Sequence, residues 1–250
     1  MQSVKNIPGV LLSGALASWL LLSASAHGDM GSGVDTAERA HVWHLITDRD
    51  NIQVFLRKHE DSRMRSFRGV MVMPVEDFSA IGAQLNDYAF IASWMHMVSE
   101  ITEIRRRTAQ DRDVHVTTFL PWPVSNRDVA LLIRLHQSAD DHTVNVRYRA
   151  LEGDMPLVPG YVRMPEMTGH LRFEPLEAPD VRVTFEVVVD PGGFIPAWLG
   201  NLILRDIPYF SLQRLSRMIN QPAYQWQDNG LVTAPPAWPA AQGQAARPDP

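Results

Sequence analysis

The chain has 250 residues, 45% of them hydrophobic and 20% charged, with a formal net charge of -5. That length holds one large domain or two small ones, and the acidic balance excludes the basic stripe that a nucleic-acid backbone requires. The sequence contains no cysteine, which rules out disulfides, a thiol nucleophile and the acylated cysteine of a lipoprotein anchor.

Residues 1–26 read as a signal peptide. Lys5 supplies a positive start, Val10 to Leu22 is a short apolar run, and Ala24-Ser25-Ala26 offers small residues where a signal peptidase cuts. The run is shorter than a membrane span needs, so cleavage after Ala26 is expected, with an uncleaved anchor as the alternative. The product would be periplasmic or secreted. Residues 27–41 form a flexible lead-in, glycine-rich from His27 to Asp35, and Thr36 to Leu45 has the spacing of a short helix.

The spacing next predicts strands at Ile52 to Leu56 and Arg65 to Met73, then a helix over Val75 to Leu85. Strand patterns follow at Val98 to Arg107, Val114 to Leu120, Val129 to Gln137, Val144 to Leu151, Tyr161 to Met164, Gly169 to Pro175 and Val181 to Val189. Three of these alternate apolar and polar residues cleanly, as in Val181, Val183, Phe185 and Val187 against Arg182, Thr184 and Glu186. Such alternation describes an antiparallel sheet with one wet and one covered face. The cover is a helix over Ile195 to Ile219, which Pro208 is expected to kink or divide. Residues 222–250, rich in proline, alanine and glutamine, are expected to be disordered. A curved antiparallel sheet gripping a long C-terminal helix is the α+β helix-grip fold, with the domain over residues 42–221.

Several motifs resemble one family in the same chain order. Pro121-Trp122-Pro123-Val124-Ser125-Asn126-Arg127-Asp128 resembles the P-W-P-[VL]-x-x-R-D loop of steroidogenic-acute-regulatory-related lipid-transfer (START) domains. Asp50 to Phe55 and Ser66-Phe67-Arg68-Gly69 are similar to that family's early strands, and Trp94 to its tryptophan after the first long helix. Val189 to Pro196 and Leu199-Gly200-Asn201 resemble the approach to its last helix. The resemblance implies an internal cavity for one sterol, phospholipid or other apolar molecule. It also implies a gate made by the terminal helix and the loop of Pro121, Trp122, Pro123, Arg127 and Asp128. Some sterol-binding members pair an acid and a base inside the cavity. No such pair is matched here, since Arg134 falls on the polar side of its strand and the preceding strand offers His115 and Thr117.

The covered faces nominate Leu131, Ile133, Val146, Tyr148, Phe185, Leu199, Leu202, Ile203 and Phe210 as ligand-lining. Alternation identifies a covered face and not a void, so each is equally a plain core residue. Arg127 and Asp128 are read as a buried ion pair locking the gate loop. Glu100 and Glu103 are the acids that could reach the cavity. Arg105-Arg106-Arg107 reads as a solvated strand end, because alternation cannot point three successive side chains one way. His41 and His44 have helical spacing but no third ligand nearby, so no metal is expected. No cofactor is expected either, and no G-x-S-x-G elbow is present for acyl transfer. The expectation is a monomeric, non-catalytic carrier of a lipid or other hydrophobic small molecule, making transient membrane contact. A polyketide cyclase or aromatase on the same superfold is the alternative, followed by an interaction module using the proline-rich tail.

Overall fold

Apolar–polar alternation sorts most of the chain into one antiparallel sheet whose concave face is covered by helices. The computed structural model describes residues 42–59, 64–151, 153, 155–225 and 230–238. Its elements are β1 (His44–Arg49), β2 (Ile52–Lys58), β3 (Arg65–Pro74), α1 (Ala80–Asn86), α2 (Tyr88–Trp94), β4 (Val98–Arg106), β5 (Asp111–Thr118) and β6 (Asn126–Gln137). β7 (Val144–Ala150), β8 (Tyr161–Arg163), β9 (Glu166–Pro175), β10 (Asp180–Asp190) and α3 (Ala197–Met218) follow. The strands lie in the order β1-β2-β3-β10-β9-β7-β6-β5-β4, and β8 runs parallel to the start of β6. The curved sheet stays open, and with the C-terminal helix it forms the expected α+β helix-grip architecture.

Period-two burial identifies the inner face. Val181, Val183, Phe185 and Val187 are buried along β10, as are Val144, Val146 and Tyr148 along β7. Across them lies α3, which packs on β3 because Gly69 has no side chain. A Cβ there would sit 2.8 Å from Leu212 Cδ1 and 3.0 Å from Pro208 Cβ. The chain enters α3 through Gly192 and Gly193, both at positive φ, and the Asp190 carboxylate accepts the Gly192 amide at 2.9 Å. A side chain at Gly192 would come within 2.6 Å of the Arg163 carbonyl oxygen, so glycine is required sterically as well as conformationally.

Four expectations need correction. Of the helix predicted over Thr36 to Leu45, residues 36–41 lie outside the described residues, and Leu45 belongs to strand β1. That edge strand is largely exposed on both faces, so it carries no alternation to read. The helix predicted from Val75 begins instead at Ala80, with the Asp77 carboxylate holding the Ser79 amide at 2.9 Å just before it. Helix α3 is not divided: it runs unbroken through Pro208. The tail is not uniformly disordered, for residues 230–238 pack on the body. Val232 and Trp238 are buried, and the Trp238 indole donates to the Val75 carbonyl at 2.8 Å and packs at a tilt against Phe78. Composition averages over the whole tail, whereas two large apolar side chains suffice to dock a short piece of it. Residues 226–229 and 239–250 of the tail, the signal peptide and the lead-in lie outside the described residues.

Candidate functional site

The space between sheet and helices is not completely filled. A cavity of about 210 Å³ lies there, walled mainly by aliphatic and aromatic side chains from the inner face of the sheet, α2 and α3. Strand register arranges the sheet side of this wall in rows. Ile133, Tyr148 and Val187 stand in one row, and Leu135, Val146, Leu171 and Phe185 in the next. All seven touch the void. Tyr148 fits because its neighbour is Gly169, where a Cβ would lie 2.5 Å from the phenol oxygen. Its hydroxyl donates to the Glu186 carbonyl at 2.6 Å, and burial pushes its pKa well above the ordinary range.

Leu131, Ile133, Val146, Tyr148, Phe185 and Ile203, nominated from the sequence, are all on the wall. Leu199 is fully buried but does not touch the void. Phe210 does not touch it either, its ring packing on His96 and Tyr209 at centroid distances of 5.2 and 5.1 Å. The helix turns about 100° per residue, so the face bearing Ile207 and Ser211 looks at the void and Phe210 looks aside. The side chain of Leu202 lies outside those described. Missed in the sequence were Leu204, Ile207 and Ser211 of α3 and Leu231 of the C-terminal segment.

Arg112 was missed as well. Strand β5 begins at Asp111, three residues before the expected start, and its inner face runs Arg112, Val114, Val116, Thr118. Extending the alternation backwards would have found the arginine. Its guanidinium donates to Asn86 Oδ1 and, at 2.9 Å, to the Ala109 carbonyl, and it lies 3.9 Å from Glu103. Arg112 is thus on the wall with Glu103 beside it but off the wall, so among the described residues no acid lines the void. Glu103 also accepts from Tyr88 at 3.0 Å. Glu100 is exposed. Among the described residues no group of His, Asp and Glu is assembled to hold a metal ion.

Arg127 and Asp128 do not form the ion pair expected of them. Adjacent residues of a strand point to opposite faces, so Arg127 turns inward and Asp128 outward. Both are buried. Arg127 donates to the carbonyls of Ser125, of Pro191 and Gly192 (both 3.3 Å) and of Phe194 (3.2 Å), joining the β5–β6 loop to the start of α3. Burial alone lowers its pKa. Asp128 receives Arg163 Nη2 at 2.8 Å and Nε at 3.0 Å, and His115 Nε2 lies 2.9 Å away. Burial opposes ionisation of this carboxyl, but the hydrogen bonds from Arg163 and His115 outweigh it and hold the pKa below the ordinary value. Arg163 reaches onward to the Pro156 carbonyl at 3.0 Å. These two arginines thus tie together three loops at one end of the cavity. The same loops expose Phe119, Trp122, Leu157 and Phe194, with Trp122 90% and Phe194 81% accessible.

The sheet order, the gripped helix and the apolar cavity beneath it can now be set beside known proteins. No family model matches the chain. A STAR-related lipid transfer protein from Xanthomonas axonopodis is 30% identical, superposes with a TM-score of 0.63, and matches over 72% of this chain and 99% of its own. The chain belongs to the StAR-related lipid transfer family. An uncharacterized protein of Pseudomonas aeruginosa is 29% identical over 78% of this chain and 93% of its own length. Human STARD10 is 17% identical with a TM-score of 0.62, covering 77% of this chain and 80% of its own, and shares the fold. In this START chain, Pro121 to Asp128 therefore form the β5–β6 connection and the first residues of β6, beside the opening of α3.

Proposed function

We propose that the protein binds one hydrophobic ligand, a lipid, in the cavity under α3 and carries it through an aqueous compartment outside the cytoplasm, with no chemistry of its own. The observation that carries this is the apolar void whose end is covered by loops held by hydrogen bonds to Arg127 and Arg163 rather than by core packing. Ligand pockets usually measure roughly 300–1,000 Å³. At about 210 Å³ the void is smaller, so a ligand of ordinary size displaces α3 or its loops on entering. The exposed Trp122 and Phe194 suit transient contact with a membrane, where an aromatic ring beside a polar backbone rests at the headgroup level. Residues 1–26, read as a signal peptide, support export.

The test is native mass spectrometry of protein purified without detergent, followed by organic extraction. A stoichiometric lipid is the expected result. An empty protein that instead turns over an aromatic polyketide would overturn the reading.

A further inference from the structure

We infer that the C-terminal segment 230–238 floors the cavity and that Leu231 on it sets the length of the unbranched hydrocarbon chain the cavity accepts. This rests on the carrier reading above and names its ligand more narrowly.

The rows of the sheet locate the floor. The row of Leu135, Val146, Leu171 and Phe185 touches the void. The next row, Gln137, Val144, Phe173 and Val183, does not, and Val144, Phe173 and Val183 are at most 1% exposed. The void therefore stops between two rows that are two residues, roughly 7 Å, apart along each strand. The C-terminal segment crosses at this level. Thr233 donates its amide to Gln137 Oε1 at 2.8 Å and accepts from Gln137 Nε2 at 2.7 Å. Val232 is buried behind, Trp238 pins the segment to Phe78 and the Val75 carbonyl, and Leu231 borders the void itself.

The length of the wall selects the ligand. Along β6 the wall runs from Arg127 at the gate to Leu135 at the floor, eight residues or about 27 Å at 3.4 Å each. A void of about 210 Å³ bordered along that whole distance matches the reach of one extended hydrocarbon chain. Leu135, Val146, Leu171, Phe185 and Leu231 meet the end of the ligand with hydrocarbon. Arg112 stands one row above, its guanidinium taken up by Asn86 and the Ala109 carbonyl. The methyl end of a single-chain lipid therefore goes in first, and its polar end stays towards the gate.

The experiment uses the full-length protein and the uncharged dye N-phenyl-1-naphthylamine as reporter, displaced by saturated straight-chain fatty acids lengthened one ethylene unit at a time. Burying a methylene is worth a factor of about four in affinity, so affinity should climb by that factor per carbon until the chain reaches Leu231, and then stop. Leu231→Ala removes three carbons from the floor and should move that break to chains about two to three carbons longer. Leu231→Phe should move it to shorter chains. Leu231 is only partly buried, and both variants leave Val232 and Trp238 seated, so the fold is retained. A break at the same length in all three proteins overturns the floor. Binding of the dye with no displacement by any fatty acid overturns the straight-chain ligand. Failure of the wild type to bind the dye defeats the carrier reading itself.

Discussion

Replacing Asp128 with asparagine removes one buried charge from the gate and leaves its shape. Asp128 is 1% exposed, while Arg163 and His115 on either side of it are 20% and 16% exposed. Breaking a fully buried pair costs about 3–5 kcal/mol, because the remaining charge is stranded. Here the amide oxygen of asparagine still accepts one bond, and Arg163 keeps the Pro156 and Met155 carbonyls and some access to water. The expected loss is therefore about 2–3 kcal/mol at neutral pH, read from urea unfolding followed by tryptophan fluorescence. The pH dependence has a definite sign. Asp128 is held below its ordinary pKa, so its contribution is complete above the ordinary aspartate value of about 3.9 and is lost as pH falls through the depressed value in the folded state. The difference between wild type and Asp128→Asn should be largest at neutral pH and shrink below about pH 4. Asp113, depressed chiefly by its hydrogen bond from Arg107, keeps its own acid sensitivity in both proteins and cancels in the difference. A stability difference that stays constant down to the acid unfolding limit would refute the assignment of charge to this site.

Ile207→Trp places a ring in the void, so ligand retention should fall sharply with little change in melting temperature, whereas Leu199→Trp overpacks a filled site and should cost about 1–3 kcal/mol without blocking the channel. The paired variant Trp122→Ser with Phe194→Ser alters two side chains that touch little protein. Its stability should stay within about 0.5 kcal/mol while sedimentation with phosphatidylcholine vesicles is lost. Trp238→Ala deletes a ring 5% exposed together with its bond to Val75, and unfolding should show a loss of about 3 kcal/mol; an unchanged unfolding midpoint would mean that the segment does not dock.

The strands with one wet face were legible because their residues report burial every second position. β7 and β10 fall within a residue or so of the expected limits. β1 was illegible because an edge strand exposed on both faces has no pattern to report. α2 was missed for a different reason: at seven residues it completes barely two turns, too few for a period to emerge, and its start is marked by the Asp87 carboxylate accepting the Phe90 amide at 3.0 Å. At the site, the inward residues of β6, β7 and β10 could be read, but the rotation of α3 could not. Leu199, Ile203, Ile207 and Phe210 all fit one apolar stripe, and only packing against Gly69 decides which of them look into the void. Arg112 was lost by starting β5 late. Leu231 had no local signal, since its position depends on two contacts made far away in sequence, Gln137 and Val75.

The two ends of the cavity are held by different physics. At the floor, Val144, Phe173 and Val183 join Val232 and Trp238 in a dry layer, so separating them exposes hydrocarbon in proportion to area. At the gate, the closures are hydrogen bonds from Arg127 and Arg163 to loop carbonyls, groups that water can satisfy once the loops part. Exchanging a protein acceptor for a water acceptor costs little net free energy per bond. On the carrier reading proposed above, opening at the gate would draw on the low-stability end of the molecule and leave the sheet, the second half of α3 and the floor in place. A ligand leaving by that route would pass the exposed ring of Trp122 before it met bulk water. On that reading the aromatic residues on the loops and the buried arginines beneath them would serve one event: the displacement that breaks the polar ties would free the loops to rest on an apolar surface.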